Sequence, residues 1–168
     1  LTATFIHGTS IFHVGWNMLF LWFVGRDMES MYGTTNFSVF YLCAAVFSTL
    51  GWAIVDSQAT HHNFMIGASG AVMAVVVLYV LYYPHREFLL FFVLPVQAWL
   101  LVLLFLGHDA LELLNGNQSS GIAVASHLSG AAFGYLFKRY DLRWSRLSWN
   151  RVRRPKLRLV MPDPREKP

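Results

Sequence analysis

The sequence predicts an all-α protein, a polytopic membrane bundle of helices. The chain has 168 residues, of which 55% are hydrophobic and only 13% are charged, whereas soluble domains carry about 25% charged residues. The hydrophobic residues also gather into five long runs that contain no Lys, Arg, Asp or Glu. Each run approaches the roughly 20 residues that a helix needs to cross a bilayer. This composition excludes a disordered chain, a nucleic-acid-binding arm and a typical cytosolic enzyme.

The five runs are the predicted membrane spans. Their hydrophobicity shows neither the strict alternation of a strand nor the narrow apolar stripe of a surface helix. Because lipid offers the backbone no hydrogen-bond partners, spans of this composition are predicted to be helices. In chain order they are Phe5–Val24, Phe37–Val55, Phe64–Tyr83, Phe88–Gly107 and Gly121–Phe137.

The first span is not predicted to be a signal peptide. It has no basic segment before it, and it contains His13 and Asn17 within its apolar run. Thr9 and Ser10 are suitable N-cap residues, so we expect the helix itself to begin near Ser10.

Small residues distinguish two of the later spans. The third span contains Gly67 and Gly70, and the fifth contains Gly130 and Gly134, each within a stripe of small residues spaced four apart. Such stripes allow membrane helices to approach until their backbones nearly touch. In the fourth span, Pro95 is expected to kink the helix.

The basic residues predict the orientation of the chain. Of the 13 Lys and Arg residues, 11 lie at or after Lys138, and the other two, Arg26 and Arg86, follow the first and third spans. The intervening loops 56–63 and 108–120 contain neither residue type. The positive-inside rule therefore predicts a cytoplasmic C-terminus, and we expect a multi-pass cell-membrane protein of a bacterial inner membrane.

This orientation divides the chain into two parts. Residues 1–137 are predicted to form the membrane domain, and residues 138–168 a basic cytoplasmic tail. The N-terminus would then lie outside, so we expect a further segment before Leu1 and regard the membrane domain as N-terminally incomplete. The tail is expected to be either an interfacial helix on anionic lipid or a topological anchor.

Polar residues inside spans are expensive and indicate function. The strongest candidates are His13, Asn17, Ser69 and His127. His13 and Asn17 are four residues apart and share a helical face. At ~1.5 Å per residue, all four residues are expected roughly 5–10 Å inside their spans, in one layer near the outer membrane face.

A serine within reach of a histidine is sufficient for nucleophilic acyl transfer, because the imidazole can take the hydroxyl proton and return it to the leaving amine. No Asp or Glu lies in the spans to orient His127, which predicts a Ser–His dyad. Asn17, His13 and the backbone N–H of Ser69 are candidate donors to an oxyanion. The acidic Asp109 falls in a predicted outer loop, where solvated polarity is the simplest interpretation.

The ordered motifs resemble the rhomboid intramembrane serine proteases. The resemblance rests on His13-x-x-x-Asn17 in one span, Gly67-Ala68-Ser69-Gly70 in another, and His127-x-x-Gly130-x-x-x-Gly134 in the last. It extends from about residue 7 to residue 135.

The resemblance implies a rhomboid-like core of six or more helices, of which five spans are visible. Ser69 would be the nucleophile and His127 the base. The enzyme would cut transmembrane substrates near their outer ends. His13, Asn17 and the amides of Ala68 and Ser69 would line the oxyanion hole. Gly67, Gly70, Gly130 and Gly134 would provide helix packing.

Three departures from the family pattern are present. The first helix of the family and most of the loop that follows it, with a Trp-Arg pair, are absent from this sequence. Met73 stands one turn after the serine, where some members have a tyrosine, and Ser126 precedes His127, where alanine is common.

Two other functions are kept as alternatives. A catalytically silent rhomboid-like protein would bind membrane helices without cutting them, and a small transporter would use the polar residues as a pathway. We expect no cofactor and no metal, because the adjacent His61 and His62 have no partners at ligand spacing. The expected partners are single-span or polytopic membrane protein substrates and the lipid bilayer, not nucleic acid. The oligomeric state is not predicted.

Overall fold

The computed structural model describes residues 11–56, 68–90, 93–114 and 118–144. Within these ranges the chain forms five α-helices and one two-stranded antiparallel hairpin. In order they are α1 (Ile11–Tyr32), α2 (Thr34–Asp56), α3 (Ser69–Tyr82), β1 (Glu87–Leu90), β2 (Leu94–Gln97), α4 (Ala98–Leu114) and α5 (Gln118–Tyr140). The predicted all-α class is confirmed.

Helix α3 lies at the centre of the bundle. Every residue from Gly70 to Tyr79 is buried, and the main hydrophobic core forms around this segment with side chains of α1, α2 and α5. A helix that is apolar on all sides is typical of such a central position. The serine at the start of α3 is therefore held by a helix that is buried along most of its length.

Helices α3 and α5 run in the same direction with their backbones in contact. A Cβ atom built on Gly130 would lie 2.0 Å from the carbonyl oxygen of Gly70, and one built on Gly134 would lie 2.4 Å from that of Ala74. Real Cβ atoms do not approach a backbone oxygen this closely, so glycine is required at both positions for this packing.

Helix α2 packs antiparallel to α5. Phe40 stacks against Phe133 and also contacts Phe137, with ring centroids 5.6 and 4.5 Å apart. Further along α2, the hydroxyl of Ser48 lies 2.6 Å from that of Ser126 and donates to the Ser126 carbonyl oxygen at 3.0 Å. Both serines are buried, so their hydroxyls join α2 to α5.

A polar and aromatic cluster joins the C-terminal ends of α1, α3 and α5. The hydroxyls of Tyr32 and Tyr82 are 2.7 Å apart. Lys138 donates to the carbonyl oxygen of Leu81 and lies 4.1 Å from the centre of the Tyr82 ring, while Arg143 lies over Tyr32. The three helices are thus parallel, and their opposite ends face the same side.

The fourth predicted span is wrong over its first half. Residues 88–97 were expected to begin a helix, but Glu87–Leu90 and Leu94–Gln97 pair as antiparallel strands. A short apolar run bounded by turns fits a strand as well as a helix. Pro95 lies in β2 opposite Leu89, where a two-stranded hairpin tolerates a residue without an N–H, so it does not kink a helix.

The predicted outer loop 108–120 is also wrong. Helix α4 continues through Gly107 to Leu114, and α5 already begins at Gln118. The segment after Gly107 reads HDALELL, and its Ala, Leu and Glu residues are good helix formers. This extension brings Asp109 into a helix.

The remaining spans differ from the prediction at their ends. Helix α1 extends to Tyr32, where Gly33 adopts a positive φ of 78° and separates it from α2. Helix α3 begins at Ser69, so Ser69 stands at a helix terminus and not one turn inside a helix. Residues 1–10 and 57–67, which include the predicted caps Thr9 and Ser10, lie outside the described residues.

The outer surface of the bundle is strongly apolar. Large hydrophobic side chains are exposed on α1, α2 and α4, among them Trp22, Leu50, Ile54 and Leu103. Within the described part of the chain, the segment Thr34–Val55 is the one helix long and apolar enough to cross a membrane by itself, and Ser69–Tyr82 and Ala98–Leu111 are shorter apolar helices. A patch of this extent indicates a surface that is covered by lipid or protein.

Candidate active site

A cavity of about 500 Å³ lies between α1, α3, α4 and α5. Its lining is mainly apolar, with side chains such as Val72, Met73 and Leu101. Three polar residues also line it, Asn17 from α1, Ser69 from α3 and His127 from α5. The fold therefore brings together three of the residues that the sequence singled out. A mainly apolar pocket with a small number of polar side chains is typical of a binding site or an active site.

Ser69 is the first residue of α3. Ala68 precedes it as the N-cap, and the first bond of the helix runs from Val72 N–H to the Ala68 carbonyl oxygen at 2.9 Å. The N–H groups of the first helical turn have no partner within the helix, and the helix dipole places partial positive charge there. The start of α3 is therefore suited to hold negative charge beside the Ser69 hydroxyl.

His127 reaches the same cavity from α5. It lies nine residues after Gln118, roughly 14 Å along the helix axis at ~1.5 Å per residue. The contact of Gly130 with Gly70 sets the separation of the two helices. In the described part of the chain no hydrogen bond joins Ser69 to His127; the imidazole instead bonds to α4.

Asp109 is the partner of His127. Its Oδ2 atom lies 2.9 Å from Nδ1 of His127, and the residue is only 8% exposed. The interpretation of Asp109 as a solvated loop residue is wrong, and so is the expectation that no acidic residue in a helix reaches His127. The error arises because α4 was expected to end at Gly107.

Asn17 has a donor without a partner. Its Nδ2 atom is buried and makes no hydrogen bond among the described residues, although the side chain lines the cavity. Leaving a buried amide donor unpaired costs about 1–3 kcal/mol. A fold that retains such a group at a cavity wall has a donor available for a bound ligand.

Other candidates cannot be placed in the cavity. The side chain of His13 and the whole of Gly67 lie outside the described residues, and so do His61 and His62. Among the residues that the structure describes, no group of three His, Cys, Asp or Glu side chains could hold a metal ion.

The chain is similar to known proteins over most of its length. The family model of the Rhomboid domain matches residues 1–144. The chain belongs to the rhomboid family. The predicted polytopic helical membrane bundle is confirmed by this match, which also supports an intramembrane protease or rhomboid-like function.

Named relatives come from several eukaryotes. The chain is 28% identical to the RHOMBOID-like protein 12, mitochondrial, of Arabidopsis thaliana, over 94% of this chain and 47% of the relative. It is 30% identical to Rhomboid protein 1, mitochondrial, of Saccharomyces cerevisiae, over 76% of this chain and 37% of the relative. It is 29% identical to the Presenilin-associated rhomboid-like protein, mitochondrial, of Bos taurus, over 86% of this chain and 38% of the relative.

These matches have two consequences. The chain spans less than half the length of the relatives named above, and no solved structure matches it. The relatives are named as mitochondrial proteins, so the prediction of a bacterial inner membrane with a cytoplasmic C-terminus is wrong. The charge asymmetry distinguishes two membrane faces, but it does not identify the membrane.

Proposed function

We propose that this rhomboid domain is an intramembrane serine endopeptidase that cleaves membrane proteins through an acyl-enzyme. One observation carries the proposal. Ser69, at the start of the buried helix α3, shares a largely apolar cavity with His127 and with Asn17, whose Nδ2 has no hydrogen-bond partner among the described residues.

The proposed reaction begins with proton transfer. His127 takes the proton of the Ser69 hydroxyl as Oγ attacks the carbonyl carbon of the scissile peptide bond. The oxygen of that carbonyl becomes negatively charged, and it accepts hydrogen bonds from the Ser69 N–H and from Nδ2 of Asn17. The Ala68 N–H and His13 are proposed as further donors.

The second half of the reaction regenerates the enzyme. The protonated His127 gives its proton to the leaving amine, and the C–N bond breaks to leave an ester on Ser69. A water molecule, deprotonated by His127, then attacks the ester and releases the carboxylate product. The hydroxyl of Ser126 bonds to that of Ser48, and the hydroxyl of Ser129 donates to the Ser126 carbonyl oxygen, so neither is assigned to this step.

The position of the cavity supports a proposal about where cleavage occurs. The cavity lies toward the N-terminal ends of α1 and α3. The polar and aromatic cluster that contains Lys138 and Tyr82 lies at the opposite ends of these helices. We propose that substrates are cut near the membrane face opposite the basic tail 138–168, in a mitochondrial membrane. The division of the chain into a membrane domain of residues 1–137 and this tail belongs to the same proposal.

The test is cleavage of a single-span reporter by the full-length protein in liposomes. Ser69→Ala and His127→Ala are each expected to abolish cleavage. Ser129→Ala and His85→Ala are matched controls, since neither side chain lines the cavity, and both are expected to retain activity. Unchanged cleavage in Ser69→Ala would refute the proposal, and so would a folded wild-type protein that binds reporter without cutting it.

A further inference from the structure

The inference concerns Asp109 and rests on the proposed function. Asp109 is one of four buried polar or charged residues in the described part of the chain, and no step of the reaction above uses it. Burying a carboxylate is costly unless a partner compensates for the lost hydration. Its position beside the proposed base therefore requires an explanation.

The sequence of α4 places Asp109 on the cavity side. Leu101 and Phe105 line the cavity, and Asp109 follows Phe105 by the same four-residue step. Residues spaced four apart lie above one another on a helix. Asp109 thus continues the face of α4 that is directed toward α5, one turn beyond the apolar wall.

The contact with His127 has the geometry of a direct hydrogen bond. The distance from Nδ1 to Oδ2 is 2.9 Å, and the side chains of His127 and Asp109 are 21% and 12% exposed. The second carboxylate oxygen lies 3.9 Å from Nδ1 of the exposed His108, which is too long for a hydrogen bond. Asp109 is therefore directed mainly to His127.

The hydrogen bond selects one form of the neutral imidazole. An ionised carboxylate can only accept hydrogen bonds, so Nδ1 of His127 carries the proton. The other nitrogen, Nε2, is then left with a free lone pair. That lone pair is the group that must take the proton of Ser69.

We propose that Asp109 is a positioning residue that fixes the orientation and the tautomer of His127 for proton transfer from Ser69. The site is thus a Ser–His pair oriented by a carboxylate from α4. The carboxylate is carried on the part of α4 that follows Gly107, which the sequence predicts to be a loop.

The decisive variant is Asp109→Asn. The asparagine keeps the size of the side chain, but its amide can donate to Nδ1 and so stabilise the opposite tautomer. We expect kcat for reporter cleavage to fall by about 10²- to 10⁴-fold with little change in KM. Asp109→Glu retains a carboxylate and is expected to recover part of the loss.

A spectroscopic measurement separates positioning from a merely structural role. Nitrogen-15 NMR of labelled histidine, with His127→Ala used to assign the signal, is expected to show Nδ1–H in the wild type and Nε2–H in Asp109→Asn. Asp141→Asn is the matched control, because Asp141 pairs with Arg143 at the other end of the bundle. It is expected to change neither kcat nor the His127 signal.

The outcomes distinguish the two proposals. A wild-type protein whose cleavage does not depend on Ser69 overturns the proposed function and this inference together. A Ser69-dependent protease that keeps its kcat and its His127 tautomer in Asp109→Asn overturns this inference alone. A loss confined to thermal stability or to KM also overturns it, since positioning acts on kcat.

Discussion

Gly130 on α5 faces the backbone carbonyl of Gly70 on α3 so closely that a Cβ atom at Gly130 would lie 2.0 Å from that oxygen. We predict that Gly130→Ala forces the two helices apart. Overpacking of this kind costs about 1–3 kcal/mol, and cleavage is expected to fall because Ser69 moves away from His127. The measurement is the free energy of unfolding in mixed micelles, together with the cleavage rate.

Gly107→Ala is the matched control for this prediction. A Cβ atom at Gly107 in α4 would meet nothing within 4 Å, and alanine is the better helix former by about 1 kcal/mol. The variant is expected to be as stable as the wild type or more so. Equal stability of Gly130→Ala and Gly107→Ala would contradict the account of the α3–α5 contact.

Gly70 and Ser48 are predicted to be energetically coupled. A Cβ atom at Gly70 would lie 1.7 Å from Oγ of Ser48 and 2.7 Å from Oγ of Ser126. Ser48→Ala removes the nearer hydroxyl and is expected to offset part of the loss of unfolding free energy caused by Gly70→Ala. A double-mutant cycle of unfolding free energies is expected to give a coupling of about 0.5–3 kcal/mol. Strict additivity would show that the hydroxyl does not limit this site.

Asn17→Ala is predicted to lower kcat by about 10²-fold with a small effect on KM. The reason is that an oxyanion donor acts mainly on the transition state, and Nδ2 of Asn17 has no partner among the described residues. Asn36→Ala is the control, because its amide donates to the Tyr32 carbonyl oxygen at the far end of α1. An Asn17→Ala defect seen in KM alone would indicate substrate binding and not oxyanion stabilisation.

The contact between Phe20 and Phe105 is predicted to limit access to the cavity. The two rings meet edge to face with centroids 5.8 Å apart, one from α1 and the other from α4, and both line the cavity. Phe105→Ala is expected to raise kcat/KM several-fold for reporters with bulky helices. Phe88→Ala, which removes a ring that packs on Tyr79, is the control, and an unchanged or lower rate in Phe105→Ala would argue against restricted access.

Most of the bundle could be predicted from the sequence because its signals are local. Apolar runs free of charge located α2 and much of α1, α3 and α5, and the glycine stripes indicated that α3 and α5 approach closely. Residues 88–97 could not be assigned correctly, because a short apolar run containing Pro95 suits a strand or a kinked helix. Pairing of Glu87–Leu90 with Leu94–Gln97 decides between them.

The candidate site was predictable in part for the same reason. Asn17, Ser69 and His127 are conspicuous as polar residues within apolar runs, and all three line one cavity. Asp109 was missed because a polar segment that follows a glycine, here Gly107, is typical of a loop. Its four-residue spacing from Leu101 and Phe105 could have indicated that the cavity-facing stripe of α4 continues past Gly107.

The most direct test of the proposed serine protease is covalent labelling of the full-length protein with a fluorophosphonate, read by mass spectrometry of the modified peptide. The account predicts that the wild type is modified at Ser69, that labelling falls strongly in His127→Ala, and that Ser129→Ala is labelled as the wild type is. Labelling that is absent from folded wild-type protein, or that persists in Ser69→Ala, would contradict it.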